Sequence, residues 1–383
     1  MKKIGIVTSA RELNYGAILQ AYALQCVTQE MGYDSSLIWW SNQKNSHRDI
    51  RFRKLFGMAW KYLMHPSIFL KSFRTYHESF KKEMSEEIIS NFQKFEDERL
   101  KIKFLSYNQM KKFAYATNCK AVIAGSDQIW NSYAIYVDPF YYLRFTPQSK
   151  RIAYAPSLGK SNVASYNKKE MKRYIEDFPA LSIREKSGKE QLEKFIDRKI
   201  EVVADPSLLF TKENWNAVRK NIKTPEHFLL LYFLDEPNDS CLKIIKKVIA
   251  LLDLPVIAFP YHFEKFIKMN ELHFMEPGPA EFLDLIAKAD FVLTDSFHGT
   301  AFSINFNKTF YTFDRQYGNN QSQSSRLADF LSAYGLSDRF IKDENIELDL
   351  SAIIDYEKVN GKLETNCKKS LEFLKNAIHT IEE

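Results

Sequence analysis

The feature that most constrains this chain is the order in which short apolar runs alternate with helical periodicity. An apolar run predicts a strand over 3–8, which ends in a polar loop from Ser9 to Tyr15. The spacing then turns helical over about 16–31, where Ile18, Ala21, Tyr22, Leu24, Gln25, Val27 and Met31 recur on one face. Gly32 stands where a helix C-terminal cap belongs, and 36–40 reads as the next strand. Strand, helix and strand in that order predict a βαβ unit and therefore a parallel sheet. The same order resumes with short apolar runs at 121–124, 151–155, 181–183 and 201–204, each ending in Gly, Pro, Ser or Asp. A second series follows at 228–234, 255–259, 291–294 and 310–313, with helical stretches near 238–252, 279–289 and 299–306.

Two such series in 383 residues predict two doubly wound α/β domains of the Rossmann type. The boundary falls near 207–222, between Asp205-Pro206 and Thr224-Pro225, which gives domains of 1–210 and 211–383. The first carries a basic helical insert over 44–112, and the second ends in a helical tail. That tail, 338–383, holds eleven acids against seven Lys/Arg and is expected to pack across a domain face. In doubly wound sheets ligands sit beyond the carboxyl ends of strands. The loops just after strands are therefore where chemistry is expected.

Composition removes several classes. No apolar run approaches the ~20 residues of a membrane span. The N-terminal apolar stretch is too short for a signal peptide, so a cytoplasmic protein is expected. Cysteines at 26, 119, 241 and 367 form no close pair, which argues against a zinc cage or a disulfide framework. Gly159-Lys160-Ser161 resembles the end of a phosphate-binding Walker loop, but the glycine required five positions earlier is Tyr154. There is no G-x-G-x-x-G, no D-x-D and no G-x-S-x-G. His262 and His273 lack metal-ligand spacing, and no metal or cofactor is expected.

Four strand exits gather polar groups: Asn14-Tyr15-Gly16-Ala17, Gly125-Ser126-Asp127-Gln128-Ile129-Trp130-Asn131, Ser182-Ile183-Arg184-Glu185, and Thr294-Asp295-Ser296-Phe297-His298-Gly299-Thr300. The last runs from a strand straight into a helix. Unpaired N–H groups at a helix N-terminus attract phosphate or carboxylate, and a histidine there can donate a proton. Asp295 and Ser296 serve equally well as ordinary helix caps beside a structural histidine, and the spacing does not separate the two.

Taken together, N-Y-G-A-x-L-Q-A-Y-A-L-Q (14–25), G-S-D-Q-x-W-N (125–131), R-I-A-Y-A-x-S-L-G (151–159), S-I-R-E (182–185), D-P-S-L-L (205–209) and D-S-F-H-G (295–299) resemble the polysaccharide pyruvyl transferase family over about 3–332, including a late Ser325-Arg326-Leu327. The resemblance implies a glycosyltransferase-B-like pair of Rossmann domains. It also implies transfer of pyruvate from phosphoenolpyruvate onto two hydroxyls of a sugar, as a ketal, in envelope or exopolysaccharide synthesis. His298 matches the family's functional histidine and Arg184 its donor-contacting arginine. Other branches carry an arginine where this chain has Ser296, and Arg326 is the candidate substitute, with a plain surface arginine as the competing reading. The expected site therefore has His298 as acid, and Asp127 as the group that orients or deprotonates an acceptor hydroxyl or else merely holds its loop. Arg184, Ser296, Gly299, Thr300 and Arg326 are expected to bind the donor, with the second domain as the donor side of the cleft. Asn14, Tyr15, Ser126 and Gln128 are expected on the acceptor side, with Gly16 serving close packing.

Between Lys44 and Lys82 stand ten Lys/Arg and two acids, a local charge of +8 in a chain whose net charge is +6. The cations interleave with Phe52, Phe56, Trp60, Tyr62, Phe69, Phe73, Tyr76 and Phe80. That pattern suits an anionic membrane surface and an acceptor still attached to a lipid, at the inner face of the membrane. It equally suits a helical insert with its aromatics in the core. A nucleic-acid partner is not expected, since no reading motif accompanies the cations. Two other functions share the architecture: a nucleotide-sugar glycosyltransferase and a non-catalytic anion-binding protein.

Overall fold

A computed structural model of the chain describes residues 1–11, 13–41, 48–66, 84–315, 324–342 and 348–381, with the backbone alone for 48–54 and 324. Thirteen strands form two wholly parallel sheets among these residues. The first holds β1 (Lys3–Val7), β2 (Asp34–Trp40), β3 (Ile102–Leu105), β4 (Cys119–Ala124), β5 (Arg151–Ala153), β6 (Ala180–Ile183) and β7 (Glu201–Val202). Its strand order is β3-β2-β1-β4-β5-β6-β7. The second holds β8 (Leu229–Tyr232), β9 (Val256–Phe259), β10 (Leu272–Phe274), β11 (Phe291–Thr294), β12 (Thr309–Phe313) and β13 (Phe340–Ile341), in the order β10-β9-β8-β11-β12-β13. Each order reverses beside the sheet's first strand, as in a Rossmann fold. In the first sheet Ile4 lies beside Ser35 on one side and Ala121 on the other. In the second, Val292 lies between Leu230 and Phe310. Two such domains face to face make the glycosyltransferase-B-like architecture.

The central strands read as continuous apolar runs because helices cover both faces, so each of β8, β9 and β11 is buried throughout. β3, β10 and β13 escaped the sequence reading. They are two to four residues long, and β3 and β10 are only partly buried at sheet edges. β3 lies inside the stretch assigned to the insert, so the first sheet resumes at Ile102 rather than after 112. Phe69, Phe73, Tyr76 and Phe80 lie outside the described residues, as do Lys71, Arg74, Lys81 and Lys82.

One apolar core runs across both domains. It joins Ile4 and Leu24 of the first to Phe282 and Phe302 of the second, and to Leu374 near the C-terminus. The helix Tyr15–Glu30 is buried almost all round and forms its centre. The C-terminal helix Tyr356–His379 spans both domains: the Tyr356 hydroxyl donates to Lys308 O of the second, while Ser370 Oγ accepts from the Ala204 amide of the first at 2.8 Å and the Phe373 ring faces Tyr154.

Candidate active site

The two sheets bring the strand exits together around one carboxylate. Asp205 begins the short helix Pro206–Leu209, and its Oδ1 caps that helix by accepting from the Ser207 amide at 3.0 Å and the Ser207 hydroxyl at 2.7 Å. Its Oδ2 accepts from Arg184 Nη1 at 2.7 Å and lies 2.9 Å from Ser126 Oγ. His298 Nε2 stands 3.8 Å from Oδ1, an ion-pair distance too long for a hydrogen bond. Burial pushes the Asp205 carboxyl up, but His298 and Arg184 outweigh it and hold the group well below the usual carboxylate range.

Arg184 follows β6 and is itself buried. Its Nη2 lies 3.6 Å from Asp127 Oδ1, and its guanidinium covers the Phe297 ring at 4.2 Å from the centroid. Burial disfavours the charge; Asp205, Asp127 and Glu185 more than restore it. Arg326 lies near the same ring, 5.5 Å from its centroid, so it is not a surface arginine. Burial and then the like charge of Arg184 push it down to about 10. Arg184 Nε and Nη2 and His298 Nε2 are buried and make no hydrogen bond among the described residues.

His298 is placed by close packing. A Cβ on Gly16 would stand 2.0 Å from His298 Cγ and Nδ1, so only glycine lets the imidazole lie against the start of helix Tyr15–Glu30. Ser296 caps the helix Phe297–Asn305, its Oγ accepting from the Gly299 amide at 3.3 Å. Gly299 packs on Thr294 and Tyr232, and Thr300 Oγ1 bonds Ser296 O and Thr312 Oγ1. These three expected donor residues thus spend their polar groups within the second domain's own packing. Asp295 likewise accepts from the Leu234 and Asp235 amides.

Two cavities flank the cluster. One of 490 Å³ is lined by Arg184, Asp205, Phe297, Arg326 and residues of the C-terminal helix such as Lys369. The other, of 340 Å³, lies on the first domain's side and is lined by Ser9, Asn14, Asp127, Gln128, Tyr136 and Tyr141 among others. Asp127 joins the two, since it faces Arg184 through Oδ1 while Oδ2 accepts from Ser9 Oγ at 3.4 Å. Asn14 caps its helix by accepting from the Ala17 amide at 3.1 Å. Ser126 is wholly buried, within reach of Ala155 O and Asp205, and does not line the second cavity. Tyr15 differs most from expectation. Its hydroxyl donates to Pro277 O at 2.7 Å, and its ring packs with Phe92, Phe259 and Phe282 in the domain junction.

Asp205 and Phe297 were not singled out from sequence, although both lie within motifs noted there. Asp-Pro-Ser signals a helix cap, and it is one; the second duty appears only when Arg184 and His298 arrive from other segments.

The chain is similar in structure to several solved proteins. A Staphylococcus aureus MnaA structure with UDP is 12% identical, with 98% of this chain and 91% of that one covered and a TM-score of 0.49. A UDP-GlcNAc 2-epimerase from Methanocaldococcus jannaschii is 14% identical, with 96% and 93% covered and a TM-score of 0.47. The glycosyltransferase SnogD from Streptomyces nogalater is 11% identical, with 98% and 99% covered and a TM-score of 0.48. Among curated protein sequences no match was found. At the level of families the result is specific: the polysaccharide pyruvyl transferase model matches residues 14–317, a span that takes in Asp127, Arg184, Asp205 and His298. With most of its length and the centre of its charged cluster inside that match, this chain belongs to the polysaccharide pyruvyl transferase family.

Proposed function

We propose that the protein transfers pyruvate from phosphoenolpyruvate onto two hydroxyls of a sugar, forming a ketal and releasing phosphate. The observation that carries this reading is the meeting of Arg184, Arg326 and His298 around Phe297, beside a polar cavity that opens at Asp127. Phosphoenolpyruvate carries a carboxylate and a phosphate. Arg184 Nε and Nη2 have hydrogen-bonding capacity that the described residues do not use, and a buried N–H gains most from an anionic acceptor.

In this reading the His298 imidazolium gives its Nε2 proton to carbon 3 of the enol ester while a sugar hydroxyl adds to carbon 2. Phosphate then leaves with the C2–O electron pair, and the second hydroxyl closes the ketal at the same carbon. Of the two hydroxyl protons released, one restores His298 and the other leaves on phosphate. Asp205 Oδ1 faces the imidazole from 3.8 Å, and in this reading Asp127, which lines the 340 Å³ cavity, receives a hydroxyl proton from that side. The arginines balance the anionic donor as its ester bond breaks.

The test is turnover of phosphoenolpyruvate with a panel of soluble glycans, reading phosphate release and the ketal methyl signal by NMR. Wild-type protein should release phosphate only with an acceptor bearing a suitable hydroxyl pair, and His298→Ala should be slower by ~10²–10⁴. Nucleoside diphosphate release from a nucleotide sugar, with no turnover of phosphoenolpyruvate, would replace this reading with glycosyl transfer.

A further inference from the structure

The helix Arg48–Met64 presents its amphipathic pattern in reverse. A surface helix normally turns its apolar stripe to the core and its charges to water. Here positions 55, 56, 59, 60, 63 and 64 form one exposed stripe, and all six are apolar: Leu, Phe, Ala, Trp, Leu and Met. Phe56 is 75% exposed, Leu63 72% and Trp60 65%. The opposite side is fastened to the first domain. Lys61 Nζ donates to Asn167 Oδ1 at 2.5 Å and lies 3.3 Å from Glu170 Oε2, while the His65 ring faces Tyr166. A Cβ on Gly57 would stand 3.6 Å from the Tyr136 ring. The helix is therefore held with its lysine inward and its tryptophan outward, the inverse of what solvent alone would select.

We propose that this helix docks the protein on a membrane surface bearing anionic headgroups. The exposed apolar stripe belongs to a helix whose sequence is basic: Arg48–Met64 holds five Lys/Arg and one acid, within a segment, Lys44–Lys82, that carries +8 while the rest of the chain sums to −2. Cations near an anionic surface and apolar side chains entering the headgroup layer reinforce each other, and either alone gives weak binding. Tryptophan is also the side chain best suited to that boundary. A second copy of this chain is the poorer occupant, because a twofold contact through this helix would bring together two helices whose sequences each hold five Lys/Arg and one acid. The contact is peripheral, since among the described residues no helix is long and apolar enough to cross a membrane.

The docking has a consequence for substrate. Tyr136, on which the helix rests, also lines the 340 Å³ cavity that contains Asp127. A docked molecule holds that cavity close to the lipid surface. If the cavity takes the acceptor, as the proposed function has it, the acceptor is a glycan presented from the membrane.

Flotation of the full chain with phosphatidylglycerol or phosphatidylcholine vesicles, at low and high salt, tests the docking directly. Wild-type protein should float with phosphatidylglycerol vesicles at low salt and release by about tenfold or more at high salt, as screening shortens the reach of the cations. The variant Phe56→Ser/Trp60→Ser/Leu63→Ser should lose at least tenfold in vesicle affinity, since it removes three large apolar groups from the interface. It should keep its melting temperature, because these side chains stand in solvent. Absence of wild-type binding at low salt, or equal binding by the variant, overturns the proposal. So does a wild-type dimer that the variant converts to monomer with no vesicle binding by either. Phosphate release with a soluble acceptor, measured in parallel, should be unchanged in the variant. If neither protein turns over phosphoenolpyruvate, the functional reading fails while the flotation result stands by itself.

Discussion

Asp205→Asn isolates what holds the charged cluster together. Asp205 is fully buried, and its two oxygens divide the work: Oδ1 accepts from the Ser207 amide and hydroxyl, and Oδ2 accepts from Arg184 at 2.7 Å. Asparagine keeps the shape but has only one accepting face. With its carbonyl toward Ser207, its NH₂ meets Arg184 Nη1; turned round, the NH₂ meets the Ser207 amide. Removing one partner of a buried ion pair costs about 3–5 kcal/mol, lost hydrogen bonds included. Asp127 still stands 3.6 Å from Arg184, so the lower end, about 3 kcal/mol, is expected. Guanidinium unfolding at pH 7 measures it. The pH dependence supplies a second, independent check. Against burial, His298 and Arg184 hold the Asp205 carboxyl well below its ordinary range. A carboxylate with a depressed folded value contributes stability that is complete above its unfolded value, ~3.9, and is lost as pH falls toward the folded one. The gap between wild type and variant should therefore be full at pH 7 and narrow below about pH 4. A variant within about 1 kcal/mol of wild type at pH 7, or a gap indifferent to pH, would refute the central role given to this carboxylate.

Two further predictions concern its neighbours. Gly16→Ala would ordinarily stabilise a helix by about 1 kcal/mol, but here the new Cβ would lie 2.0 Å from the His298 ring; kcat should fall by ~10² or more through a displaced acid, with donor affinity little changed, and a fully active, more stable variant would refute that placement. Arg184→Lys replaces a planar fork with a point charge, so calorimetry should show phosphoenolpyruvate affinity reduced by about tenfold or more, while unchanged affinity would mark Arg184 as purely structural.

Much of the fold was legible because its signals are local. Each central strand is an apolar run between breakers, and Ser296 caps its helix, one of the two readings its position offers. What escaped was decided by tertiary context. β3, Ile-Lys-Phe-Leu, is an edge strand that buries little, so its sequence carries no strong period and it was absorbed into the insert. Tyr15 stands at a strand exit, yet the phase of its helix turns the ring into the second domain. The helix Arg48–Met64 was read as a choice between buried aromatics and a membrane face, and sequence alone cannot say which way a helix is turned. Contacts at Lys61 and Gly57 fix that orientation. Asp205 was hidden for a further reason: its partners come from 21, 79 and 93 residues away, so no window of sequence contains them.

The same distances explain why the site belongs to neither domain alone. Asp127, Arg184 and Asp205 follow strands of the first sheet, whereas Phe297, His298 and Arg326 belong to helices of the second. Each half by itself would leave buried like charges or an unpaired acid. Arg184 and Arg326 share one aromatic ring, an arrangement that tolerates their repulsion only because Asp205, Asp127 and Glu185 stand within reach. The junction that brings these halves together is held by apolar contact rather than by the charges. Tyr15 is packed among Phe92, Phe259 and Phe282, and its hydroxyl is tied to Pro277 O. Burial of such rings fixes the separation of the domains without consuming any polar group near His298. The arginines and the imidazole are thus positioned by a scaffold that does not compete for them, and Arg184 Nε and Nη2 and His298 Nε2 keep hydrogen-bonding capacity that no described residue uses.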